Sequence, residues 1–400
     1  MCRGPLKRVC HWGPLTALDI LAISVPVELC DGGSDDKACL GIIKIVTFMT
    51  VHCSSMWWPP DKSLAGFLHL SVFLSLSGLT LYHFMNAIYL GPGYLPPGWA
   101  PENADHTDLL QFCNTCQGYK APRTHHCRKC GRCVMKMDHH CPWINNCVGH
   151  KNHAHFAGFL FFAVCGCLLA SITLSCSLYR ALNRVWYMYY GTGTEPIVYL
   201  SVTTLILCVF SLGLAIGLRA IHRNQTAIED WIVEKAKHRR REGELDFVYP
   251  YNLGWRENYK QVLSWSCDPL GDGLHWSVVE GCDQYTITKE QQLQKCEKRQ
   301  RTRVYSAHTP YSGWWFPLVH GFGVFTHPPF TDEARITLQR GDTIHVTRWR
   351  KYWLFGEKVC PGASGDTSSR ARGWFPRPCA VEVTEGPMMP PSDSGDKKDK

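Results

Sequence analysis

The sequence predicts a polytopic α-helical membrane protein of about four transmembrane helices. A cytosolic cysteine-rich domain folded by two zinc ions and a small C-terminal β-barrel complete the expected fold. Three observations predict it. Residues 64–90, 154–179 and 196–218 are apolar stretches that reach the roughly 20 residues a helix needs to cross a bilayer. Seven of the 21 cysteines crowd into residues 113–147, together with four histidines. After residue 305, short β-type runs alternate with turn residues. The mean hydropathy of −0.17 hides this division, because the apolar stretches all lie in the first 218 residues.

The N-terminal segment, residues 1–63, offers two further apolar stretches. Residues 12–29 contain Asp19 and Glu28, and residues 41–58 contain Lys44. Between them Cys30-Asp31-Gly32-Gly33-Ser34-Asp35-Asp36-Lys37 is too polar for lipid. Basic residues fix the expected topology. Lys120, Arg123, Arg128, Lys129, Arg132, Lys136 and Lys151 lie between the spans 64–90 and 154–179, and Arg219, Arg223, Lys235, Lys237 and Arg239 follow 196–218. Loop 180–195 has only Arg180 and Arg184 and is expected to be luminal. Arg3, Lys7 and Arg8 place the N-terminus in the cytosol, so one of the two N-terminal stretches crosses, giving four spans. No cleavable leader is expected, because residues 1–9 run into His11 and Trp12.

Residues 91–153 form the cytosolic cysteine-rich domain, and residues 219–300 a cytosolic membrane-proximal region, helical over 225–241. Within 305–384 the runs 335–342, 343–348, 351–355 and 373–376 read as strands. Residues 385–400 are rich in Pro, Asp and Lys and are expected to be disordered. The 42 Lys and Arg against 34 Asp and Glu suit anionic lipid, CoA phosphates or nucleic acid alike. Clustered cysteines among histidines exclude a secreted disulfide scaffold and point to metal in a reducing compartment.

The loop reads Cys113-x2-Cys116, His125-His126-Cys127-x2-Cys130-x2-Cys133, Asp138-His139-His140-Cys141 and Cys147. Paired C-x2-C units are a strong zinc signal. Two Cys3His sites consume six cysteines and two histidines, which leaves one thiol and two imidazoles. Cys141 is the surplus thiol that sits beside spare acid–base groups. A cysteine next to an imidazole with a carboxylate behind it is a thiol-nucleophile arrangement. A zinc-folded membrane scaffold or adaptor without catalysis is the alternative that the residues alone leave open.

The segment from Cys113 to Phe156 resembles the cysteine-rich domain of the DHHC palmitoyltransferases. The residues that carry the likeness are Asp138-His139-His140-Cys141-Pro142-Trp143, Asn145-Asn146-Cys147-Val148-Gly149, Asn152 and Phe156. The resemblance implies a protein S-acyltransferase. Cys141 takes a long-chain acyl group from palmitoyl-CoA or another acyl-CoA and passes it to substrate proteins with cytosolic juxtamembrane cysteines. It implies His139 as the base and Asp138 as the residue orienting it. It assigns Cys113, Cys116, His126 and Cys133 to one structural zinc and Cys127, Cys130, His140 and Cys147 to the other. Thr226-Ala227-Ile228-Glu229 resembles the family's Thr-Thr-x-Glu segment, with Ala227 in place of the second Thr. Asn258-Tyr259-x2-Val262 resembles its aromatic C-terminal segment.

Leu338-x2-Gly341-Asp342, Tyr352-Trp353 and Gly373-Trp374-Phe375-Pro376 resemble an SH3 domain, which makes the barrel SH3-like. The chain is thereby similar to SH3-bearing, endoplasmic-reticulum members of the family. That likeness implies the endoplasmic reticulum membrane as location and a partner such as selenoprotein K. Lys397 and Lys398 resemble a dilysine retrieval signal. Residues 10–23 resemble the family's first span, and residues 25–54 read as an insertion. A RING ligase is excluded by the ligand order. Nucleic-acid binding is not expected, because spans flank the loop on both sides.

Overall fold

The computed structural model describes residues 35–183, 195–240, 243–314, 318–329, 331, 333–359 and 371–383. The stretch 12–29, the tail 385–400 with Lys397 and Lys398, and most of the expected luminal loop lie outside the described residues. The chain divides into two compact units at Thr288 and Lys289.

Four helices of the first unit are long and apolar enough to cross a membrane. They are α1 (Asp35–Trp57), α2 (Leu64–Tyr89), α3 (His153–Leu182) and α4 (Glu195–Arg223). Ser63 opens α2, its hydroxyl accepting the Gly66 N–H at 3.0 Å. Helix α3 is the centre of the bundle and packs on α1, α2 and α4. Phe73, Phe84, Phe159, Ala163 and Phe210 fill the space between them. Phe67, Leu68, Leu168 and Ile172 point outward and exposed, as a lipid-facing surface requires.

Two boundaries differ from the sequence expectation. The helix α1 arises from the second N-terminal stretch and begins at Asp35, inside the segment compared with an insertion. That segment therefore supplies a span-length helix packed in the bundle. Helix α4 continues past residue 218 to Arg223, which puts Arg219 and Arg223 on its last turns.

Between α2 and α3 six three-residue strands make three antiparallel ribbons. Strand β1 (Gln111–Cys113) pairs with β2 (Gly118–Lys120), β3 (His125–Cys127) with β4 (Arg132–Val134), and β5 (His139–Cys141) with β6 (Asn146–Val148). Gly149 makes the return to α3 possible. A Cβ there would stand 2.6 Å from the Pro92 carbonyl oxygen. After α4 come α5 (Ala227–Arg239), α6 (Trp255–Lys260) and α7 (Thr286–Gln300).

Asn258 carries the fold of the segment after α5. It is fully buried, donates to the His222 carbonyl at 2.7 Å and accepts the Leu253 N–H at 3.0 Å. Val262 packs with Ala154, Ala157 and Ile221.

The second unit holds one five-stranded sheet. Its strands are β7 (Arg303–Ala307), β8 (Thr343–Trp349), β9 (Trp353–Lys358), β10 (Arg372–Pro376) and β11 (Ala380–Glu382), in the order β10-β9-β8-β7-β11. The expected closed barrel is corrected to an open sheet with β10 and β11 at its edges. Pro376 and the 3-10 turn Arg377–Cys379 end β10 and carry the chain across to β7. Residues 335–342 form no strand and end in a turn at Arg340–Gly341. Gly341 takes a φ of 89°, and the Gln339 N–H donates to Asp342 Oδ2 at 2.6 Å. Only the bridges Tyr311 to Leu338 and Arg335 to Trp374 remain of it. A short helix, α8 (Phe322–Thr326), buries Val324 against the core of Ile344, Val346, Trp353, Leu354 and Phe375.

Candidate active site

Strand alternation distributes the Asp-His-His-Cys residues. Successive side chains of a strand point to opposite faces, so His139 and Cys141 of β5 share one face and His140 takes the other. The same rule on β3 sends His126 to one ligand group and Cys127 to the next. The two groups interleave for this reason. Cys113, Cys116, His126 and Cys133 converge, with the His126 Nδ1 3.5, 3.4 and 3.9 Å from the three sulfurs. Cys127, Cys130, His140 and Cys147 converge likewise, the His140 Nδ1 lying 3.6, 3.4 and 3.7 Å from its sulfurs.

These spacings fit a metal. Zinc bonds of about 2.3 Å to sulfur and 2.0 Å to nitrogen give a tetrahedral S···N edge of about 3.5 Å. Each group thus offers a closed Cys3His set of structural type. His125 joins neither group, and Cys141 is left out of both.

Asp138 lies behind His139. Its Oδ2 is 2.7 Å from His139 Nδ1. Its Oδ1 accepts the Ala227 N–H at 2.6 Å. Ala227 is the first residue of α5, so the carboxylate also meets the positive end of a helix dipole. The Ala227 contact runs through the backbone amide, so the alanine that replaces the second Thr of the resembled segment does not disturb it. Burial works to raise the Asp138 pKa, but these hydrogen bonds hold it below the usual carboxylate range. Burial works to lower the His139 pKa. The hydrogen bond to Asp138 and the contact with Cys141 outweigh it and push the imidazole up to about 10. An imidazole this basic is well placed to hold a proton taken from the Cys141 thiol.

A buried ion pair fixes the helix that delivers the Ala227 amide. Thr226 and Glu229 form a reciprocal capping box at the start of α5. Glu229 then receives Arg123 through Nε at 2.7 Å and Nη2 at 2.8 Å. Arg123 also donates to the Asn224 carbonyl at 2.7 Å and lies over the rings of Tyr251 and Trp276. Tyr249 donates to Glu229 Oε2 at 2.7 Å. Both charges are fully buried. Arg123→Ala leaves the Glu229 carboxylate buried and unpaired, a loss of about 3–5 kcal/mol. The expected result is a clearly lower melting temperature in detergent; a variant that melts with wild type would remove this pair from the account. Sequence reasoning treated Arg123 only as a cytosolic charge, since nothing in its neighbours marks a buried guanidinium.

A cavity of about 580 Å³ opens at Cys141 and runs between α3 and α4. Asp138, His139 and Cys141 stand at one part of its wall, and Trp143, Phe156, Phe159, Leu160, Phe210 and Gly213 make an apolar part. Arg219, Arg223 and Gln225 also line it. Phe156 sets its ring edge-on to His139 at 5.7 Å. Pocket-lining residues on α4 were not legible beforehand, because a span's sequence does not say which side faces its neighbour.

A spare thiol backed by an imidazole and a carboxylate, beside an apolar cavity among membrane-length helices, defines a multi-pass membrane protein equipped for thiol chemistry on an apolar substrate. Comparison gives the class its family. The DHHC palmitoyltransferase family matches residues 106–234. Palmitoyltransferase ZDHHC6 of Mus musculus is 40% identical over 421 residues, covering 99% of this chain and 96% of that protein. The Homo sapiens ZDHHC6 is 41% identical with the same coverage. Probable protein S-acyltransferase 16 of Arabidopsis thaliana is 31% identical over 266 residues, 60% of this chain and 90% of that one. The chain belongs to the DHHC palmitoyltransferase family, and its activity is that of a protein S-acyltransferase.

Proposed function

We propose that Cys141 is the nucleophile of a two-step palmitoyl transfer, with His139 as base and Asp138 as its positioning partner. The observation that carries this is the cavity, which joins Cys141 and His139 to an apolar wall within one enclosure. His139 takes the thiol proton, and the Cys141 sulfur attacks the acyl-CoA thioester carbonyl. The bond from the acyl carbon to the CoA sulfur breaks, and CoA leaves with the proton from His139. A substrate cysteine then gives its proton to His139 and attacks the acyl-enzyme. The acyl carbon passes to the new sulfur and Cys141 recovers a proton. Arg219 and Arg223 are the basic groups on this wall and suit the CoA phosphates. The two Cys3His groups hold structural zinc, which folds the ribbons and so presents Cys141. The test is incubation of the purified chain with a clickable palmitoyl-CoA analogue. Hydroxylamine-sensitive label on the chain, then passed to a juxtamembrane cysteine substrate, is the expected outcome. No label on folded, zinc-loaded protein would favour the scaffold reading.

The second unit is read as SH3-like. Its strand order and the 3-10 turn before the last strand support that reading, and a solved structure with another order would sink it. Trp353 is not offered to a proline helix, whose recognition needs an aromatic-lined groove. Trp353 is buried and its indole N–H donates to the Val324 carbonyl at 3.1 Å. A partner such as selenoprotein K is therefore expected to dock elsewhere on this unit. For location we favour the endoplasmic reticulum, on the strength of Lys397 and Lys398. Lys397→Ala with Lys398→Ala is expected to send the protein onward; unchanged retention would show the tail dispensable.

A further inference from the structure

A third convergence of metal-binding side chains lies apart from the cysteine-rich loop. His83 sits near the end of α2, His155 in the first turn of α3, and Cys267 in the segment after α6. His83 Nδ1 and His155 Nδ1 face each other at 3.1 Å. One ring nitrogen of each imidazole and the Cys267 sulfur all lie within 4.8 Å of one another. We propose that His83, His155 and Cys267 form a third metal site, binding Zn2+ through two imidazole nitrogens and a thiolate, with water as fourth ligand.

A hydrogen bond between the imidazoles would account for the two nitrogens alone. It gives no reason for a thiol to converge on the same point. The nitrogen spacing is near the tetrahedral N···N edge of about 3.3 Å that follows from Zn–N bonds of about 2.0 Å. The surroundings hold the donors in place. Phe162 stacks on the His83 ring at 5.3 Å, and Tyr82 meets both imidazoles edge-on. Gly158 lies directly against His83. A Cβ at that position would come 2.7 Å from His83 Nδ1, so any larger residue would displace the donor. Cys267 takes a left-handed φ of 60° and packs among Ala154, Ala157, Ile221 and Val262. Two imidazoles and a thiolate suit zinc, whereas magnesium and calcium take oxygen donors. An ion there would tie the segment after α6 to α2 and α3. It would do so one residue before Phe156, which packs on His139.

The test is zinc counted per chain in the purified full-length protein, after Zn2+ loading and removal of free metal. Wild type is expected to hold three ions, two in the cysteine-rich loop and one here. Cys267→Ser and His83→Gln are each expected to hold two, and the retained loop pair reports that they are folded. The readout is metal content, so it stands apart from any acyl-transfer result. A wild-type count of two overturns the proposal whatever the variants do. Three ions in Cys267→Ser overturn it as well.

Discussion

Cys141→Ala is expected to abolish hydroxylamine-sensitive acyl labelling while leaving zinc content and melting temperature close to wild type. Cys141 belongs to neither Cys3His group, so its removal costs no ligand. The residue is buried at the cavity wall, 4% exposed, and the alanine is smaller than the cysteine it replaces. The structural loss is that of a small side chain, about 1 kcal/mol, which is little against an intact fold. The chemical loss is complete, because no other group there can form a thioester. Among the described residues, every other loop cysteine is drawn into a ligand group. Cys141→Ser is the sharper form of the experiment. It keeps size and polarity but replaces a thiol by a far weaker nucleophile, and any ester formed would resist hydroxylamine under mild conditions. Labelling of Cys141→Ala at the wild-type level in a single turnover would move the nucleophile elsewhere.

The sequence made the cysteine-rich loop legible because local chemistry specifies it. C-x2-C spacing, the ligand count and the surplus Cys141 are all short-range facts, and the three ribbons bring together the residues they named. Three spans were legible for a similar reason, since a bilayer imposes length and apolarity on each helix alone. The first span was harder. Two interrupted stretches competed, and composition does not tell which one packs on α3. Arg123 with Glu229 was invisible, because a pair 106 positions apart leaves no periodic mark. The contact from Ala227 was hidden in another way. A motif is read in side chains, whereas the group that reaches Asp138 is a backbone amide. In the second unit the runs 343–348, 351–355 and 373–376 fall on β8, β9 and β10, whereas 335–342 forms no strand and β7 and β11 were not read. The closed barrel that was expected is an open sheet, since edge pairing is decided by turns such as Arg377–Cys379 rather than by alternation.

His139 and His140 are adjacent, of one residue type, and expected to fail in opposite ways. The strand turns them to different faces. His139 leans on Asp138 at 2.7 Å and lines the cavity with Cys141. His140 points its Nδ1 at three sulfurs. His139→Ala removes a general base, worth roughly 10² to 10⁴ in rate, and should leave both loop ions bound. His140→Ala removes a zinc ligand. Metal binding is part of the folding free energy of such a loop, so an ion, the ribbon order and labelling should be lost together. Cys130→Ser should behave as His140→Ala does, since it breaks the same group. Asp138→Asn separates the roles less cleanly, because Asp138 also receives the Ala227 amide and so holds α5. The measurement is zinc per chain, melting temperature and single-turnover acylation rate for each variant. If His139→Ala sheds an ion while His140→Ala keeps its full metal and acylates slowly, the two imidazoles have exchanged roles and the register of β5 against β6 must shift by one residue.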